Sequence, residues 1–126
     1  MRVFKVHSFA RFARREGISD QRLAGTIIRL ESGLIDADLG GGLVKLRIAR
    51  PGKGRSGGYR TIITYSQGLM AVFLYGFAKT DQGNVSPPQL ADLKRAAVHF
   101  LARTDSELDV DVEEGRLEEI VYGQED

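Results

Sequence analysis

The sequence predicts an α+β domain: two amphipathic helices near the N-terminus and one near the C-terminus, packed on a small, mostly antiparallel sheet. Apolar residues recur at helical spacing between Phe9 and Leu34 and again between Leu90 and Leu101, whereas between Leu43 and Phe77 they alternate with polar residues or run as β-branched and aromatic ones. Glycine clusters at 40–42 and 52–58 punctuate the change from one pattern to the other. A chain of 126 residues, 42% of them apolar, has enough material for one core and rarely divides into two.

The elements follow in order. Arg2 to His7 alternates like a short strand, with Val3 and Lys5 on one side and Phe4 and Val6 on the other. Ser8 is the expected cap of a first helix whose face is Phe9, Phe12 and Ala13, with Arg14 and Arg15 favouring its C-terminal dipole and Gly17 ending it. Ser19 caps a second, with Asp20 in its first turn and a stripe of Leu23, Ile27, Leu30 and Leu34. After the Gly40–Gly42 turn, Leu43 to Ala49 alternates as a strand; Gly58 to Ser66 and Leu69 to Phe77 complete an antiparallel meander. Ser86-Pro87-Pro88-Gln89 opens the last helix, with Ser as cap, Pro in the first turn and Gln at the third position. In the remaining segment only Leu117 to Tyr122 reads as a small strand.

Composition excludes several classes. The longest apolar run, Leu69 to Tyr75, is far short of the ~18 residues a membrane helix needs, and MRVFKVHSF contains no apolar signal core, so a cytoplasmic protein with no membrane partner is expected. The chain has no cysteine, hence no disulfide, thiolate nucleophile or Cys-type zinc site. His7 and His99 stand apart from any acid that would orient an imidazole base, and both read as structural.

The formal charge of +1 hides an asymmetry: residues 1–103 hold 17 Lys and Arg against 7 Asp and Glu, net +10, and residues 104–126 hold one Arg against 10 acids, net −9. The chain therefore divides into a basic body, 1–103, and an acidic C-terminal extension, 104–126, expected to be loosely attached and to sample the basic face. A basic body suggests a polyanionic partner, because clustered cations gain from phosphate neutralisation and counterion release.

Gly52-Lys53-Gly54-Arg55-Ser56-Gly57 has the letters of a dinucleotide-binding turn, but a strand follows where that turn needs a helix N-terminus. It reads instead as a hairpin carrying Lys53 and Arg55, able to close on an anion. Lys45 and Arg47 share a strand face by period two, Arg60 begins the next strand, and Lys79 follows the third. Such a meander gathers these cations on one surface. The region has no paired carboxylates, Ser-His-Asp set or metal-ligand cluster. Cations alone suffice for one reaction, the cleavage of RNA by its own 2′-hydroxyl, which they can orient while neutralising the transition state.

Lys45-Leu46-Arg47, Gly58-Tyr59-Arg60, the run VFLYGFAK from Val72 to Lys79 and the helix from Gln89 to Leu101 together resemble the HigB-like branch of the RelE/ParE toxin superfamily. The phrase GKGRSGGYRTIITY followed by FLYGFAK is the most specific part, and the resemblance spans residues 2–103. It implies a RelE-like fold and a ribosome-dependent endoribonuclease that cuts mRNA in the ribosomal A site. It also implies that no metal or cofactor is needed, and that an antitoxin encoded beside the toxin, with a helix-turn-helix domain, neutralises it. By this likeness Lys45, Arg47, Arg60 and Lys79 are the catalytic set, with Arg60 on phosphate. The tyrosine that stacks on the nucleobase in relatives has no counterpart in Asn84-Val85-Ser86, which leaves Tyr75 and Phe77 as the aromatic RNA contacts. Two alternatives keep the fold or the charge without the chemistry: a non-catalytic inhibitor that binds a protein target, and a general RNA-binding module.

Overall fold

A computed structural model describes residues 1–50 and 54–121, with the backbone alone described at 54–56. Among these residues the chain forms β1 (Arg2–Val6), α1 (His7–Glu16), α2 (Asp20–Glu31), β2 (Ala37–Gly40), β3 (Leu43–Arg50), β4 (Gly54–Ser66), β5 (Met70–Ala78), α3 (Pro87–Leu101), α4 (Asp105–Glu113) and β6 (Leu117–Ile120). The strands make one sheet in the order β2-β3-β4-β5-β1-β6. β3, β4 and β5 are the expected meander, and β1 lies parallel to β5, Val3 opposite Ala71 and Phe4 opposite Val72.

Alternation along the central strands builds two apolar faces. On one, α1 and α2 bring Phe9, Phe12, Leu23, Ile27 and Leu30 against Val44, Leu46, Ile48, Ile63 and Phe73. On the other, α3 and α4 bring Ala97 and Leu108 against Phe4, Leu43, Ile62, Val72 and Leu74, with Leu90, Leu93 and Phe100 at the margin. Both faces are covered, which explains why β5 reads MAVFLYGFA rather than as an alternating strand.

The architecture is α+β as expected, with differences in detail. The short strand read at Arg2 to His7 is present as β1, so the fold opens on a strand ahead of its two N-terminal helices, and through its pairing with β5 and β6 that strand lies inside the sheet. α1 starts two residues early, at His7, and its N-cap is Val6 with no side-chain cap, so Ser8 is not the cap expected of it. α2 stops at Glu31, leaving Leu34 outside its stripe and 64% exposed. The caps of α2 and α3 are as read: Ser19 accepts from the Arg22 amide, and Ser86 and Gln89 form a full capping box.

The segment after Thr104 is not loosely attached as far as Val121. Thr104 and Glu107 form a second capping box that starts α4, and β6 pairs antiparallel with β1. Leu108, Leu117 and Ile120 are buried. Most of its acids face cations of the body: Glu119 and Asp109 accept from Arg2, Glu118 from Arg14, and the buried Asp111 from Arg103 as well as from Arg116 of the segment itself. The charge asymmetry of the sequence is thus partly cancelled at the β1–β6 edge of the sheet, which β5 and β4 separate from β3.

Candidate functional site

The site is built from the register of the meander. Arg47 on β3 lies directly across from Arg60 on β4, which lies across from Phe77 on β5; one step along, Lys45, Ile62 and Tyr75 form a parallel row. Residues directly opposite in an antiparallel pair point to the same face, with Cβ atoms about 5 Å apart. Lys45, Arg47, Arg60, Tyr75 and Phe77 therefore share the face that α3 covers, close to where that helix begins.

Arg60 is the unusual member. It is only 7% exposed; among the described residues its one side-chain hydrogen bond runs from Nη1 to the Tyr59 carbonyl at 3.4 Å, and no carboxylate lies within salt-bridge distance. Burying an arginine costs free energy unless an anion accompanies it, and placing it across from a second arginine adds repulsion. Arg47 has an acid of its own: Nε stands 3.2 Å from Asp36 Oδ1, and its amide donates to Asp36 Oδ2 at 2.5 Å.

The approach to this face is shaped by the start of α3. Gln89 Oε1 accepts from the Ser86 amide at 2.8 Å as part of the capping box, and its Nε2 donates to the Tyr75 hydroxyl at 3.2 Å. Tyr75 in turn donates to Gln82 Oε1 at 2.8 Å, and Gln82 Nε2 donates to the Asn84 carbonyl at 2.7 Å. Lys45 Nζ completes the rim by donating to Asn84 Oδ1 at 3.4 Å. One glutamine thus starts the helix and locks a tyrosine on the sheet. The sequence shows Gln89 as a cap; its bond to Tyr75 depends on where α3 lands.

Of the residues singled out from sequence, Lys45, Arg47, Arg60, Tyr75 and Phe77 come together. Phe77 is 4% exposed and tilted against Tyr75 at a centroid distance of 5.7 Å, so it forms a wall beside Arg60 and presents little ring to a ligand; Tyr75 is half-buried. Lys79 is exposed just past β5, its amide donating to the Gly58 carbonyl at 3.1 Å, which ties it to the strand end that carries Arg60. Lys53 lies outside the described residues, and of Arg55 only the backbone on β4 is described. His7 and His99 are exposed. Among the described residues no three His, Asp or Glu side chains gather to hold a metal ion.

Sequence reasoning did not find Asp36, whose partnership with Arg47 depends on the chain turning back into β2, or Lys5, which is 6% exposed and donates to Asp20 at 2.8 Å. Lys5 had left one signal: strand alternation puts it on the same side as buried Val3.

The chain matches the model of the RelE toxin of the RelE/RelB toxin-antitoxin system over residues 1–120. It belongs to the RelE toxin family. The match runs through α4 and to the end of β6, so the acidic segment up to Ile120 lies within the family's domain. No curated protein shows significant similarity to the chain. Family membership brings a cognate antitoxin as partner, and no helix among the described residues is long and apolar enough to cross a membrane.

Proposed function

We propose that this toxin is a ribosome-dependent endoribonuclease of the HigB-like kind, cutting mRNA in the ribosomal A site with the RNA's own 2′-hydroxyl as nucleophile. The observation that carries the reading is Arg60, a buried guanidinium between Arg47 and Phe77 with no carboxylate partner among the described residues. Such a group is incomplete until an anion arrives, and a scissile phosphate supplies one.

In this reading Arg60 and Lys79 hold the non-bridging oxygens of the phosphate, while Lys45 and Arg47 flank the reacting atoms. The 2′-hydroxyl attacks the adjacent phosphorus, the bond to the 5′-oxygen of the next nucleotide breaks, and the products are a 2′,3′-cyclic phosphate and a 5′-hydroxyl. The cations stabilise the charge that grows on phosphorus oxygens in the transition state, where fixed donors act most strongly. Tyr75, anchored through its hydroxyl by Gln82 and Gln89, keeps its ring in place beside the row. The small site leaves alignment of the RNA strand to the ribosome, so free RNA is cut poorly. An antitoxin with a helix-turn-helix domain is the partner expected to silence it.

Primer extension on translating ribosomes tests the reading. Arg60→Ala should lower cleavage by about a hundredfold, equivalent to ~3 kcal/mol of transition-state stabilisation, with the fold retained. Equal cleavage by wild type and variant would remove Arg60 from the chemistry. End analysis should find 2′,3′-cyclic phosphate or its hydrolysed form; a 3′-hydroxyl would assign the attack to water instead.

A further inference from the structure

The second half of β5 runs past the strand beside it. The last pair between β1 and β5 is Lys5 opposite Phe73, and at Val6 the chain passes straight into α1. From Leu74 to Ala78, β5 therefore has β4 on one side and, among the described residues, no strand on the other. A cavity of about 490 Å³ opens there, between α1, β5 and the turn after it. The helical period sets one wall: Ser8, Arg11 and Arg15 fall on one stripe of α1, with Phe12 and Glu16 beside it. The basic row borders the cavity directly. Tyr75 and Phe77, which line it, stand in the rows of Lys45 and Arg60, and Ala78, which also lines it, precedes Lys79.

Several polar groups of the cavity already have partners. Glu16 accepts from the Tyr59 hydroxyl at 3.1 Å, Arg15 lies 3.6 Å from Glu16 and over the Phe12 ring, and Gln82 is held by Tyr75, Asn84 and Gln89. The side chains of Arg11 and Asp81 have no partner among the described residues and are not paired with each other. Asp81 nevertheless has a fixed place, because its amide and that of Gln82 both donate to the Ala78 carbonyl, at 2.9 and 3.2 Å. A guanidinium that only donates and a carboxylate that only accepts thus line one space. The edge of a nucleobase carries the matching donors and acceptors side by side. The volume is that of a small-ligand pocket, and its aromatic lining suits a base ring.

We propose that this cavity is a base-selecting subsite, which seats a nucleotide beside the scissile phosphate and favours a base with an exocyclic amino group (adenine, guanine or cytosine) over uracil. The proposal rests on the RNA-cleavage reading and adds to it side chains of α1 and of the turn after β5. Asp81 accepts from the amino group, and Arg11 donates to the ring nitrogen beside it. Uracil has no amino group and turns carbonyl oxygens toward the carboxylate, so repulsion selects against it. A second phosphate is a poorer occupant, since Asp81 repels it, whereas a neutral base satisfies both open groups. Reach is short: Phe77 stands across from Arg60 with Cβ atoms about 5 Å apart, which places the cavity next to the phosphate that Arg60 holds.

The test is primer extension on translating ribosomes with the full-length toxin and an mRNA that presents all four bases around many cuts. In wild-type products uridine should be depleted at one fixed position adjoining the cut. Asp81→Asn and Asp81→Ser, whose side chains both donate and accept, should each raise the uridine share at that position at least threefold. Arg11→Ala should lower cleavage at the preferred sites at least fivefold. Arg14→Ala, on α1 outside the cavity and paired with Glu118, should leave the base profile as in the wild type. Melting curves show which variants are folded. A wild type without base preference beside the cut, or an unchanged profile in a folded Asp81 variant, overturns the proposal. Loss of all cleavage in the Asp81 and Arg11 variants alike also overturns it, by making the cavity part of the chemistry. Failure of the function reading looks different. If the wild type leaves translated mRNA whole, the reading and this subsite fall together; if the wild type cleaves and Arg60→Ala does not, the reading stands whatever the base profile shows.

Discussion

Gly76 shows how one missing side chain sets a core. A Cβ there would lie 2.5 Å from Phe12 Cε2 and 2.9 Å from Phe9 Cε1, inside an aromatic group in which Phe9 stacks on Phe73 and Phe12 meets Tyr59 edge-on. Gly76→Ala should therefore destabilise by about 1–3 kcal/mol through overpacking, read as a fall of several degrees in the melting temperature. Asp111 sets a second local condition. Its carboxylate is almost fully buried and accepts from Arg103 at 2.8 Å and from Arg116 at 2.9 Å. The hydrogen bonds from Arg103, then those from Arg116, hold its pKa below the usual carboxylate value in spite of burial. A carboxyl with a depressed folded pKa adds stability above its unfolded value, about 3.9, and loses it as pH falls further through the folded one. Thermal melts should show this loss below about pH 4, and Asp111→Asn should both lower stability near neutrality, by on the order of 2 kcal/mol, and flatten the acid limb. An unchanged acid limb in the variant would assign it to other carboxylates.

Among the elements, α4 and β6 carry the clearest consequence. β6 covers the outer edge of β1 and buries Leu117 against Phe4 and Ile120 against Val3's cluster, so a chain ending at Arg103 would expose β1 as a bare, apolar edge. That truncation should lose cooperative melting or aggregate, as circular dichroism and size-exclusion chromatography would reveal; a folded, monomeric product would show the segment to be dispensable. The start of α3 is a smaller device. Ser86→Ala removes the acceptor for the Gln89 amide and should cost about 1 kcal/mol, while Gln89→Ala also releases Tyr75 and should impair cleavage beyond what its melting temperature explains.

For the molecule as a whole, charge is separated across the sheet. The acids of α4 and β6 engage Arg2, Lys5, Arg14 and Arg103 at one side, while Lys45, Arg60 and Lys79 have no ion pair among the described residues. These cations therefore lack internal counter-charge among the described residues although the net charge is near zero. With these three cations and Arg47 on phosphate, affinity for a single-stranded RNA should fall with salt at a log–log slope of about −3, and Arg60→Ala should reduce that slope by roughly 0.7. Fluorescence anisotropy at several salt concentrations checks both values. Equal slopes for the two proteins would mean that Arg60 does not reach phosphate.

What could be read from the chain was whatever depends on near neighbours: the meander, the caps at Ser19 and Ser86, the shared strand face of Lys45 and Arg47, and the grouping of Arg60 with them, all of which follow from periods of two and 3.6 and from short turns. The basic row follows from the same arithmetic, since a hairpin's register decides which residues stand opposite. Contacts distant in sequence were decided by the fold. β1 finds β5 and β6, Asp111 finds Arg103, and Gln89 finds Tyr75 only when packing brings the elements together. The acidic segment shows the difference most plainly. Its composition resembles that of a solvated tail, because charge density is visible in sequence, whereas the arginines that neutralise it and the sheet edge that holds Leu117 and Ile120 exist only in three dimensions.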